Sequence, residues 1–343
     1  MFSTYNLKYD DNGNVKYTLT GLKEGDYVIG KYKMSTLDTL IMFTDLGNYL
    51  FLPVHEIPEV KWKDMGKHVS NIVTMSADEK IIGAMPVYDF TEDRYITVFT
   101  KFGMVKRTKL SDFKVGRYTK EIGMIKLGDG DSVVSVDYSN NNDVLVATRN
   151  GYGLWYDISE VSIVGIRAAG VKSIKLKDDE VASACLFDPS CEYITILTDK
   201  GTAKRMKLSL IEKTSRANRG VLLMKIIKSN PSKIVKCYLI NSREEITVKS
   251  INEEKKIKLT EVSIMDKQSN GSFIVKDRLV SSYLNVSLID NNSDNSNTND
   301  IVKEEVDNET KKVISNNNRE LKTLKAIDNK IMTIDEILDD IEK

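Results

Sequence analysis

Hydrophobic and polar positions along the chain repeat one segment type: a run of β-branched and aromatic residues, a turn, then a second run carrying Lys or Arg. The copies span 40–52, 95–110, 144–156 and 193–208, with a degenerate fifth over 246–259. Alternation bounded by Gly, Asn and Asp predicts strands joined as hairpins, while a 3.6-residue helical period is nearly absent before residue 300.

The turns fall at Gly47, Gly103, Gly151, Gly201 and Glu253, separated by 56, 48, 50 and 52 residues. A second glycine follows each turn, at Gly66, Gly123, Gly170, Gly220 and Gly271, with offsets of 19, 20, 19, 19 and 18. Beyond it the chain is β-like again, so each repeat supplies about four strands. A lone sheet of that size cannot bury both faces, whereas blades packed around an axis bury them against one another and protect their edges. The expected fold is therefore all-β, a propeller-like ring of about five to six four-stranded blades. The long regular period favours it over a β-sandwich array or a β-solenoid.

Residues 290–318 are Asn- and Asp-rich and cannot bury enough apolar surface to offset chain entropy. The expected organisation is a ring domain over 1–285, a disordered linker over 286–318 and a short amphipathic helix over 319–343. In the last segment Leu321, Leu324, Ile327, Ile331 and Ile334 recur at spacings of three and four, and Thr333 with Glu336 resembles a capping box.

Charge changes the picture. The 343 residues balance 50 basic against 50 acidic side chains, but residues 286–343 hold 14 acidic and 8 basic, net −6. That leaves 36 acidic and 42 basic residues, net +6, in 1–285. A basic body suggests an anionic partner. No 18-residue apolar run and no signal-like N-terminus occur, so the expectation is a cytoplasmic chain without a membrane partner. Cys185, Cys191 and Cys237 lack Cys-x-x-Cys spacing and read as reduced thiols; His55 and His68 are too few for a metal site. Neither metal nor cofactor is expected for this chain, and Asp129-Gly-Asp131 reads as a tight turn rather than a calcium loop.

The cations follow the repeats. Second hairpin strands carry Lys106, Arg107 and Lys109, then Lys204, Arg205 and Lys207, then Lys255, Lys256 and Lys258. Residues i and i+2 share a strand face, so each set directs at least one cation to solvent. Loops between the two glycines carry Lys61, Lys63 and Lys67, then Arg117 and Lys120, then Arg167, then Lys213, Arg216 and Arg219. Ring symmetry would join these into a band on the rim, as wrapping a duplex by its phosphates requires. Bending costs on the order of 1–6 kcal/mol per 20–30 base pairs, which several phosphate contacts can offset. The expected contacts are Arg107 and Arg205 from the strands, the loop cations except Lys213, and Lys172. The alternative is a protein-interaction propeller whose lysines only keep its strands from aggregating. An enzyme is not expected, because no paired carboxylates, nucleophile–base pair or phosphate loop stands at matched repeat positions.

Four stretches carry a family resemblance: Tyr49-Leu-Phe-Leu-Pro-Val-His-Glu-Ile57, Lys61-Trp-Lys-Asp-Met-Gly-Lys-His68, Gly165-Ile-Arg-Ala-Ala-Gly-Val-Lys172 and Arg216-Ala-Asn-Arg-Gly220. Over about residues 20 to 285 the chain resembles the C-terminal domain of the DNA topoisomerase IV A subunit, in its Gram-positive form. The resemblance implies a β-pinwheel, a propeller variant whose blades exchange strands. It further implies nonspecific binding and bending of double-stranded DNA for a type IIA topoisomerase that decatenates and relaxes DNA. The implied partners are the A-subunit cleavage core and the B subunit, which would use ATP and Mg, and the implied location is the nucleoid. The Gln-Arg-Arg-Gly-Gly-Lys-Gly box of the gyrase A subunit is absent, with 61–67 a loose counterpart. Most of a first blade, which in the family precedes the region like 21–26, is expected to be missing. Arg117-Tyr118-Thr119 resembles the tripeptide around the catalytic tyrosine of type IIA enzymes. It sits in an inter-glycine loop without an acidic metal cluster, so no catalytic role is expected.

Overall fold

The computed structural model describes residues 8–9, 15–16, 28–59, 66–240 and 244–285. The expected linker over 286–318 and helix over 319–343 lie outside these residues, as do Lys61 and Lys63.

A short antiparallel pair, β1 (Lys8–Tyr9) and β2 (Val15–Lys16), comes first. The first repeat contributes β3 (Thr39–Thr44), β4 (Asn48–Pro53) and β5 (Ile81–Val87). The second contributes β6 (Tyr95–Thr100), β7 (Met104–Lys109), β8 (Ile122–Gly123) and β9 (Val133–Asp137). The third holds β10 (Asp143–Thr148), β11 (Tyr152–Asp157), β12 (Val171–Lys172) and β13 (Val181–Phe187). The fourth holds β14 (Tyr193–Thr198), β15 (Thr202–Lys207), β16 (Val221–Leu222) and β17 (Ile234–Tyr238). The fifth ends the series with β18 (Glu245–Ser250), β19 (Glu254–Lys258), β20 (Ser272–Phe273) and β21 (Leu279–Leu284).

The sheets run β5-β3-β4-β8, β9-β6-β7-β12, β13-β10-β11-β16, β17-β14-β15-β20 and β21-β18-β19. These are the five blades of a propeller-like ring, and the two-residue outer strand of each of the first four comes from the following repeat. The fifth blade departs from the expected four strands. Its outer position would be filled by a sixth repeat, and none follows among the described residues.

Each central strand is buried on both faces, which is why β3 and β10 are buried along all six residues instead of alternating. Val144 and Val146 pack with Phe99 and Val105 of the second blade, whereas Leu145 and Ala147 pack with Ile194 and Ile196 of the fourth. Every central strand also bulges one residue before its turn, at Phe43/Thr44, Phe99/Thr100, Ala147/Thr148, Leu197/Thr198 and Lys249/Ser250. A bulge increases twist, as blades radiating from an axis need. The hydroxyl residue there is buried in all five blades. Thr100 and Thr148 accept the turn's Met104 and Tyr152 N–H at 3.2 and 3.1 Å, so the bulge leaves no orphaned donor at that point.

Candidate nucleic-acid interface

The second glycine of the third, fourth and fifth repeats sets the geometry of the outer edge. At Gly170 and Gly220 the backbone is left-handed, φ +83° and +78°, and a Cβ would lie 2.4 Å from Val105 O and 2.1 Å from Gly153 O. No side chain fits between these backbones, so glycine admits the strand that pairs with the preceding repeat. Pairing is short: Val171 and Lys172 meet Val105 and Met104, and Val221 and Leu222 meet Gly153 and Tyr152.

The inter-glycine loops are laced to the outer edge of the blade before. Glu121 N–H donates to Thr74 O of the first repeat at 3.0 Å, Val164 N–H to Arg107 O of β7 at 2.9 Å and Thr214 N–H to Trp155 O of β11 at 2.8 Å. Arg117 and Lys120 thereby belong with the edge of the first blade, Arg167 and Lys172 with the second, and Arg216 and Arg219 with the third. Arg117, Lys120, Arg167, Lys172, Arg219 and Lys67 are exposed. Arg219 lies 4.1 Å from the centre of the Tyr152 ring, an arrangement that holds the guanidinium face while leaving its N–H edge open. Arg216 is half-buried and donates to Glu160 O at 3.2 Å and to Lys172 O, so part of its donor capacity already ties two repeats together.

Other cations behave differently from their sequence pattern. Lys106 and Lys204 occupy the same repeat position and are buried, each 1% exposed. Lys106 Nζ donates to Met124 O at 2.5 Å, and Lys204 Nζ to Asp266 O and Ser269 O at 2.6 and 2.8 Å. Burial lowers both ammonium pKa values to about 8, because the charged form loses hydration. Arg205, expected on a phosphate, stacks on Tyr193 and donates to Val262 O at 2.9 Å and Thr260 O at 3.2 Å. Lys213 is neutralised by Asp143 at 2.6 Å and Asp157 at 2.9 Å, and its hydrogen bond is the main cause pulling Asp157 down to about 2. Tyr118 of the catalytic look-alike donates to Glu56 at 2.9 Å and packs on Phe51. Asp131 accepts the N–H of Ser132 beside it and that of Phe102 in the β6–β7 turn.

One regular set escaped the sequence reading. Lys126, Lys175, Lys225 and Lys276 are all exposed and occupy the same place in four successive blades. Each follows a buried apolar residue, Ile125, Ile174, Met224 or Val275, that packs beneath the preceding hairpin's glycine turn. The signal was present as an apolar residue followed by Lys three to five positions after the second glycine.

A ring of antiparallel blades that borrow their outer strands from the next repeat, as the first four do here, is a β-pinwheel, with cations along the borrowed-strand edge. The sequence model of the DNA gyrase C-terminal domain, beta-propeller, matches residues 38–87, 94–140, 142–185 and 192–236, and the chain belongs to that family. It is 38% identical over 255 residues to the A subunit of DNA topoisomerase 4 from Bacillus subtilis (strain 168), covering 74% of this chain and 32% of that protein. The chain thus spans about a third of the length of the curated relatives it matches. The crystal structure of the C-terminal domain of DNA topoisomerase IV superposes with a TM-score of 0.75 at 39% identity, covering 77% of this chain and 84% of that one. The DNA gyrase A C-terminal domain superposes at 0.61 with 23% identity, covering 82% and 99%, a likeness of fold alone.

Proposed function

We propose that this chain binds duplex DNA by its phosphates along the borrowed-strand edge, as the C-terminal domain of a topoisomerase IV A subunit. The observation that carries this reading is the register of Lys126, Lys175, Lys225 and Lys276, one exposed lysine in each of the first four blades, with Arg167, Lys172 and Arg219 beside them. A curved row of cations without a base-reading helix supports affinity through counterion release and no sequence preference. In the whole enzyme such an edge would bend a segment and present it for strand passage. Cleavage, ATP use and Mg chemistry would then belong to the A-subunit core and the B subunit. The ring domain over 1–285 would act as the DNA-holding module, working in the nucleoid.

Charge reversal at Arg167, Lys175 and Arg219 tests this. Duplex affinity should fall, and the slope of log K against log salt should flatten by roughly 0.9 for each phosphate no longer neutralised. Unchanged binding isotherms at two salt concentrations would reject the edge assignment.

A further inference from the structure

Arg107 and Arg205 occupy the same position in the second and fourth blades, each over the tyrosine of the neighbouring hairpin strand, Tyr95 at 4.1 Å and Tyr193 at 5.1 Å. Their surroundings differ. Arg205 directs its donors to Val262 O and Thr260 O. Arg107 makes no side-chain hydrogen bond or ion pair among the described residues and faces a cleft of about 180 Å³. Asn140 and Asn141 line the cleft, and so does Thr97, which is 1% exposed and whose Oγ1 has no hydrogen-bond partner.

A buried hydroxyl without a partner and a half-buried guanidinium without an acceptor are both costly to leave unmet. Together with the two asparagines they place several hydrogen-bonding side chains around a space too small for a drug-sized molecule. Stacking on Tyr95 fixes the guanidinium plane and leaves its N–H edge free for a bidentate acceptor. The carboxylate on the rim, Asp93, is exposed, where water screens it.

We infer that this cleft is a phosphate-binding subsite, with Arg107, Thr97 and the Asn140 and Asn141 amides donating to the oxygens of one phosphate group. The group comes from the backbone of a bound duplex, and to that extent the inference rests on the function proposed above; a free phosphate would offer the same chemistry.

The test uses the full chain with Arg107→Gln and, as internal control, Arg205→Gln, with circular-dichroism melting to establish folding. Duplex binding is measured across a salt series, and inorganic phosphate is titrated while NMR signals of the Arg107 and Tyr95 side chains are followed. R107Q should weaken duplex binding several-fold and lower the salt slope by roughly 0.9, while R205Q should lower the melting temperature with the slope unchanged. If R107Q melts early, Asn141→Asp replaces it, because a carboxylate in the cleft should repel a phosphate with little effect on packing. Phosphate-dependent shifts lost in R107Q, with duplex binding unaltered, would support the subsite and assign it to a free anion. Wild-type binding with a slope that neither variant changes, and no response to inorganic phosphate, overturns the inference alone. A wild-type chain without salt-dependent duplex binding overturns the proposed function and the duplex source together.

Discussion

Gly220→Ala is the substitution that most directly tests strand exchange. The residue has φ +78°, and an added Cβ would stand 2.1 Å from Gly153 O and 2.6 Å from its carbon. Left-handed backbone with a side chain costs about 1–2 kcal/mol, and forcing atoms into a packed backbone contact adds about 1–3. The borrowed strand can relieve this strain by peeling from β11, but peeling uncovers Leu223, which is fully buried. Burial of a leucine contributes about 1.5–3 kcal/mol, so the escape carries its own penalty. The expected loss is the smaller of the two routes, about 1.5–3 kcal/mol. Urea denaturation followed by the fluorescence of Trp155, which lies in β11 itself, measures it. Hydrogen exchange at Tyr152 and Leu222, paired across the exchange, reports whether the strand has detached. Gly165→Ala is the control: nothing lies within 4 Å of its added Cβ, and it should be neutral or stabilise by about 0.4–1 kcal/mol. Equal midpoints for G220A and wild type, or equal losses for G220A and G165A, would refute the backbone-contact explanation of the second glycine.

Two further expectations concern buried titratable groups. Lys106 replaces the buried leucine that the same position carries as Leu50 and Leu154 in the first and third blades, so Lys106→Leu should hold or raise stability at pH 7. The ammonium pKa falls from 10.5 unfolded to about 8 folded, so the unfolded chain binds more protons between these values. Wild-type stability should therefore rise relative to K106L from pH 8 to 10, by at most about 1.4 kcal/mol per pH unit, as paired denaturation curves would reveal. A constant difference across that range would contradict the assignment. Cys237 is buried, and burial pushes its thiol from 9 up to about 12; burial also raises the half-buried Cys185 thiol. Cys237 should resist a thiol reagent at pH 8 until urea unfolds the chain, while half-buried Cys191 reacts first; rapid labelling of Cys237 in native protein would contradict this packing.

The repeat, its hairpins and the all-β ring were legible because turn residues, glycine in all but the fifth hairpin, recur with a period of about fifty residues between β-rich runs. Isolated short strings were not needed for that reading; Arg117-Tyr118-Thr119 could be set aside from its loop context, and Tyr118 packs on Phe51. The lysine row at 126, 175, 225 and 276 was legible but missed, because its offset from the second glycine changes from three residues to five.

Sequence alone determined the period, the turn positions and the excess of positive charge in the body, since these depend on local backbone conformation and composition. Only the tertiary structure decided which hairpin each short strand joins: β12 pairs with β7 and not with a strand of its own repeat, and two residues carry no pattern that names a partner. It also decided the fate of matching cations. Lys106-Arg107 and Lys204-Arg205 read alike, yet both lysines are sealed between blades, Arg205 is bound to backbone carbonyls and Arg107 faces an open cleft. An inner blade is covered on both faces by its neighbours, so the side that meets water is set by what packs against it and not by alternation along the strand.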